Sequence, residues 1–172
     1  MIELTSFTET DFDLLISWID SKELLIQIAG HQMIYPVTNA QLEHYLQEEN
    51  SFAFNVVDTA SNKIIGHAQI QLVDEVTCKL DKVLIGDKSN RGKGLGQQLM
   101  DALLKLSFER FNASKVELNV FDWNIAAIKA YEKTGFLFNH DKTMQFAVDG
   151  VTWTAVNMTI EKNTWLEKKS NI

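Results

Sequence analysis

The sequence predicts an α+β fold, a mostly antiparallel sheet interrupted by one strand–helix–strand unit, on three observations. Residues 52–58, 63–73 and 76–86 are successive strand-like runs separated only by tight polar turns at 59–62 and 74–75, which reads as an antiparallel meander. A glycine-rich turn then opens a helix with Leu95, Leu99, Leu103 and Leu106 on one face, and residues 115–121 alternate as a further strand. Finally, Asp149-Gly150 sits between strand-like runs at 144–148 and 151–160, a strong hairpin signal.

The remaining elements follow in order. Residues 2–7 form a short strand, and residues 9–20 an amphipathic helix with Phe12, Leu15, Ile16 and Ile19 at helical spacing. Residues 24–36 are a less regular apolar stretch ending at Pro36, the one proline. Thr38 or Asn39 then offers an N-cap for a helix through Leu42 and Tyr45, and this front segment is expected to fold over one end of the sheet. Asn124 can cap a helix running through Tyr131 to Lys133, with Gly135 as its stop. The polar tail from Glu161 reads as frayed. There is no internal repeat or linker, and 172 residues suit one domain spanning 1–172.

Composition narrows the function. A net charge of −7 argues against a nucleic-acid partner, which needs clustered cations, and suits a cationic substrate. Cys78 is the single cysteine, so a disulfide within the chain is impossible and a cytoplasmic setting is expected. The acidic N-terminal residues Glu3, Glu9, Asp11 and Asp13 do not resemble a secretion signal, and no apolar run approaches the roughly 18 residues of a membrane span. No membrane partner is expected.

The chemistry is concentrated in Val83-Leu84-Ile85, followed by Gly86 to Gly96, where an apolar strand enters a glycine-rich turn that becomes a helix. Such a turn suits phosphate, because glycine lets backbone N–H groups approach an anion and the helix adds its unpaired donors. Arg91 and Lys93 add positive charge. A Walker loop is excluded, since Gly92-Lys93 is followed by Gly94 and no glycine stands five residues earlier. A dinucleotide fingerprint starting at Gly92 fails at Gln97. Arg91, Gly94 and Gly96 instead fit the pattern of the acetyl-CoA loop in the GNAT superfamily of N-acetyltransferases, which the stretch resembles. A second stretch, Asn124, Ala127, Tyr131 and Gly135-Phe136, resembles that family's next helix at the expected distance.

This resemblance implies a mixed, mostly antiparallel sheet of six to seven strands with helices on both faces and a splay between two parallel strands. Acetyl-CoA would be the co-substrate, with no metal. Its pyrophosphate would lie on Arg91, Gly92, Lys93, Gly94, Leu95 and Gly96, its pantetheine along the backbone of Val83, Leu84 and Ile85, and Asn124 would touch it as well. The acetyl group would pass to a primary amine by direct attack.

Tyr131 matches the family's general acid, a phenol able to protonate the departing thiolate. The base is open. An acceptor amine like that of lysine costs about 4.6 kcal/mol to deprotonate at neutral pH, yet Asn119 stands where some members carry glutamate. Glu117, on the same strand face, and Asp81, on the neighbouring strand, are the candidates, acting directly or through water; a water relay with no single base is the alternative. The Ile85 N–H is the family-based oxyanion donor.

His31, His44, His67 and His140 form no i, i+4 pair and imply no metal site, and Cys78 lies in a strand pattern without an activating base. The acceptor pocket is expected between residues 18–35 and the closing hairpin near Phe146 and Trp153. The acceptor could be a polyamine, an aminoglycoside-like compound or a protein N-terminus. Family members often pair through their C-terminal strands, so a homodimer is also implied. The rival readings are a catalytically silent CoA-binding regulatory module, an interaction protein without CoA, and a different acyl donor such as succinyl-CoA.

Overall fold

A computed structural model describes residues 1–90 and 92–170, with Lys88 described in its backbone alone. One seven-stranded sheet runs in the order β1-β2-β3-β4-β5-β7-β6. Its strands are β1 (Ile2–Ser6), β2 (Ser51–Asp58), β3 (Lys63–Leu72), β4 (Thr77–Ile85), β5 (Lys115–Phe121), β6 (Leu137–Val148) and β7 (Val151–Glu161). Every neighbouring pair is antiparallel except β4 with β5. The expected sheet, with its single parallel pair, is therefore present.

Helices cover both faces. On one side α4 (Leu95–Lys105), extended by a π-helical turn at Leu106–Arg110, buries Leu99, Met100, Leu103 and Leu104 against Ile70, Leu80, Val116 and Leu118. The other side carries α1 (Phe12–Trp18), α2 (Lys22–Ala29) and α3 (Asn39–Leu46), whose Leu15, Leu25 and Leu42 pack with Phe7 and Leu84. These three helices lie on a face of the sheet, not over its end, because their apolar stripes need a broad surface to bury. Thr38 caps α3 by accepting the Gln41 N–H, and α5 (Ile125–Thr134) ends at Gly135 with φ +115°.

Three expectations are corrected. Residues 22–29 are helical, where the sequence reads as irregular. The first hairpin strand, β6, begins at Leu137 and not at 144. The tail is also ordered: α6 (Lys162–Ser170) buries Trp165 against Phe108, with ring centroids 5.1 Å apart, and the apolar area of that indole anchors an otherwise polar helix. Among the described residues no helix is long and apolar enough to cross a membrane.

Candidate active site

The site begins where the parallel pair ends. Strands β4 and β5 pair from Thr77↔Lys115 to Leu80↔Leu118 and no further. Both strands continue, so Asp81 to Ile85 and Asn119 to Phe121 face each other across an opening. A bulge drives the separation. Gln69 opposes Asp81 while His67 opposes Leu84, which leaves one extra residue on β4, and Lys82 takes φ +48° there. The opening is a cleft of about 330 Å³ lined by Gln27, Asp81, Lys82, Val83, Asn119 and Tyr131 among others.

Backbone direction along this edge follows from pairing. The Gly86 N–H donates to the Ile65 carbonyl at 2.9 Å, so alternation along an antiparallel strand turns the Ile85 N–H away from β3 and toward the opening. Side chains sort separately. Val83 and Ile85 pack toward the α4 core, and Leu84 is buried among α1 to α3.

Beyond β4 the turn opens α4 as expected. Gly92 and Gly94 have φ of +76° and +74°, and among the described residues no atom lies within 4 Å of a Cβ built at Gly92, Gly94 or Gly96. Gly94 is the N-cap of α4 and supplies no side-chain bond, so the first N–H groups of the helix are left to a ligand or water. Lys93 is exposed and Leu95 half-buried beside them. This space and donor set fit a pyrophosphate. Arg91 lies outside the described residues.

Tyr131, on α5, is half-buried, with its ring 6.0 Å from that of Phe136. Burial raises its phenol above the ordinary value of 10, so the group is protonated at neutral pH. Asn124 caps α5, its Oδ1 accepting the Ala127 N–H at 3.3 Å.

The two carboxylate candidates differ. Asp81 lines the opening and also a second cleft of about 400 Å³ beside it, bounded by Ile26 to Gly30, Gln32, Asn119, Phe121, Met144 and Phe146. Asp81 accepts from Gln32 Nε2 at 2.9 Å and from Lys79 Nζ at 3.4 Å. Glu117 is buried and accepts from Lys142 Nζ at 3.0 Å, and it lines neither cleft. Phe146 lines the second cleft, whereas Trp153 packs on Phe121 and Trp123, and Trp18 lies against Gly86 after β4.

Sequence reasoning missed the groups that hold Asp81. Lys82 Nζ, in a side chain only 4% exposed, donates to Gln32 Oε1 at 2.6 Å and to Gln69 Oε1 at 2.8 Å, and lies 4.9 Å from the Tyr45 ring centroid. Gln69 in turn donates to Glu48 at 3.0 Å. A signal existed in the adjacent charges Asp81-Lys82, which break the alternation of β4 and mark the bulge. The Cys78 thiol is buried, and burial pushes it up, away from a reactive thiolate. Among the described residues no group of three His, Cys, Asp or Glu could hold a metal ion.

The model of the Acetyltransferase (GNAT) family matches residues 21–136. The chain belongs to the GNAT family. Among curated GNAT relatives, spermine/spermidine N(1)-acetyltransferase of Bacillus subtilis (strain 168) is 38% identical over 60 residues, 35% of this chain and 39% of that protein. The chain thus spans about two fifths of the length of the first curated relatives it matches. Aminoglycoside N(6')-acetyltransferase type 1 of Klebsiella pneumoniae is 25% identical over 150 residues, 78% of this chain and 73% of that protein. Spermidine N-acetyltransferase from Vibrio cholerae, solved with CoA and spermine, shares the fold at a TM-score of 0.81 and 19% identity, over 96% of this chain and 98% of that one. Aminoglycoside acetyltransferase AAC(6')-Ib, solved with coenzyme A, gives 0.76 and 23% over 98% and 99%.

Proposed function

We propose that this GNAT protein is an N-acetyltransferase that transfers the acetyl group of acetyl-CoA to a primary amine of a small cationic molecule, a polyamine first among them. The observation that carries the reading is the opening between β4 and β5, flanked by an unfilled glycine loop and faced by the half-buried Tyr131. The spermine/spermidine relative and the spermine-bound structural neighbour support the acceptor class, and the net charge of −7 agrees with it.

Acetyl-CoA supplies the activated acetyl thioester. Backbone N–H groups of Gly92 to Gly96 and the α4 N-terminus would hold its pyrophosphate, with Arg91 and Lys93 adding charge. The open edge at Val83 to Ile85 would pair with pantetheine amides as a strand pairs with its neighbour, and Asn124 closes that end. The Ile85 N–H, turned toward the opening, would donate to a developing oxyanion. Tyr131, kept protonated by burial, would give its proton to the thiolate. Asp81 stands at the junction of the two clefts and is the better placed carboxylate to receive the amine proton, directly or through water. Glu117, tied to Lys142 and lining neither cleft, would have a supporting part only.

The reading takes residues 1–172 as one acetyltransferase domain, in a cytoplasm that keeps Cys78 reduced. Self-association belongs to it as well: β6 is an edge strand with Leu137, Phe138 and Met144 exposed, a surface suited to pairing copies, and the Vibrio spermidine enzyme has a dodecameric structure.

Titration calorimetry with acetyl-CoA, with ATP and NAD as controls, tests the donor site. Selective binding of acetyl-CoA that disappears in Gly94→Trp is expected, and no binding to the folded protein would remove the acetyltransferase reading. Thiol release with spermine, an aminoglycoside and a peptide bearing a free N-terminus then sorts the acceptor. Binding without release by any amine would leave a CoA-binding regulatory module.

A further inference from the structure

Lys82 is a charged side chain almost wholly withdrawn from water, and its isolation needs a reason. In regular alternation with Leu80 it would point into the α4 core. The bulge, with φ +48° at Lys82, turns it onto the face of Asp81 instead. Burial pulls its ammonium below the ordinary value, while Asp81 and Glu48 push back.

The bonds around it form two matching relays. Gln32 accepts from Lys82 with Oε1 and donates to Asp81 with Nε2; Gln69 accepts from Lys82 with Oε1 and donates to Glu48 with Nε2. Neither amide can turn over. A flipped Gln32 would set its NH2 against the ammonium and its oxygen against the carboxylate. The charge of Lys82 therefore fixes which end of Gln32 faces Asp81. Asp81 Oδ2 takes Gln32 and Lys79, and Oδ1 takes the backbone N–H of Lys82 at 3.0 Å; Lys82 Nζ also pairs directly with Oδ2, but at 3.7 Å, farther than the 2.9 Å bond that Gln32 makes. Three of the roughly four acceptor positions of the carboxylate are thus committed, and one stays open.

From this geometry we infer that Lys82 is a positioning residue, which acts through Gln32 to hold the Asp81 carboxylate at the junction of the donor and acceptor clefts. The inference rests on the acetyltransferase reading, in which Asp81 meets the acceptor amine. Lys82 itself touches neither acetyl group nor amine. Its effect falls on the rate of transfer, because a carboxylate free to turn spends less time in the orientation that receives a proton.

A double-mutant cycle on kcat decides it. Gln32 is exposed, so Gln32→Leu removes the relay without opening the core. The expected result is a fall in kcat with the best amine of about tenfold, the scale of one lost oriented hydrogen bond. The acetyl-CoA dissociation constant should stay within about twofold. In an Asp81→Asn background the same change should cost nothing further, since residues acting as one unit are not additive. Lys82→Met removes the hub itself and should repeat the loss of kcat; it also bares two glutamine oxygens and can unfold, so Gln32→Leu carries the decision. An unchanged kcat in Gln32→Leu, an equal loss in both backgrounds, or a parallel loss of acetyl-CoA affinity would each overturn the inference. If the wild-type protein releases no thiol with any amine, the acetyltransferase reading fails and this one falls with it.

Discussion

The Trp18 indole lies against Gly86 so closely that no Cβ fits between them. Trp18 ends α1, and Gly86 follows the last residue of β4, so this contact seats the front helices on the strand that borders the opening toward β5. Even the smallest side chain must push one of them away. Gly86→Ala is expected to destabilise the protein by about 1–3 kcal/mol, the usual cost of overpacking. Urea unfolding checks this as a lower midpoint with an unchanged slope.

Tyr131→Phe keeps the ring against Phe136 and removes the hydroxyl proposed to protonate the thiolate. The expected outcome is a loss in kcat of about 100-fold or more at unchanged acetyl-CoA affinity. Because burial raises the phenol above 10, the wild-type rate should not decline through ionisation of Tyr131 at any pH up to that value. A pH profile of thiol release for both proteins tests both statements.

His67 forms a second buried polar pair, its Nε2 2.9 Å from the Tyr45 hydroxyl. Burial, chiefly, and the Lys82 charge pull its pKa from 6.5 down to about 3. The folded protein therefore holds His67 neutral while the unfolded chain takes a proton below 6.5. Its contribution to stability is fully present above pH 6.5 and is lost as the pH falls toward 3. The slope is about 1.4 kcal/mol per pH unit within that window. His67→Phe should remove this slope and impose a roughly constant cost of about 1–3 kcal/mol for the unpaired Tyr45 hydroxyl. Urea unfolding at pH 7 and pH 5 separates the two effects.

Trp165 holds α6 to the core, with Lys169 Nζ 4.0 Å from its ring centroid. Trp165→Ala should cost about 3–5 kcal/mol and lower Tm by roughly 10 °C. Lys168 Nζ donates to the Lys133 carbonyl at 3.0 Å, so the same change should also loosen the end of the helix that carries Tyr131. Hydrogen exchange of the α5 amides gives that second readout.

How far the sequence foretells this structure depends on how many faces each element buries. Strand β5 reads to the residue, because Val116, Leu118 and Val120 alternate cleanly with Glu117 and Asn119. Helix α2 is hidden, because Leu25, Ile26 and Ala29 are buried while Gln27 and Ile28 border the clefts, and apolar residues on both sides erase the period. The start of β6 is exposed on both faces and carries no pattern, and α6 depends on one tryptophan. The glycine loop and Tyr131 are local in sequence and could be read. The hold on Asp81 joins residues 32, 69 and 82, which only the folded chain brings together.

The opening between β4 and β5 has a consequence apart from the proposed chemistry. A sheet interior normally hides its hydrogen-bonding groups, yet here two strand edges stand bare in the middle of the molecule. Such edges are adhesive toward any extended peptide, including a neighbouring copy in a crowded solution. A ligand that filled the gap would act as a removable missing strand, so on the proposed reading acetyl-CoA would protect the protein from clumping as well as take part in the reaction.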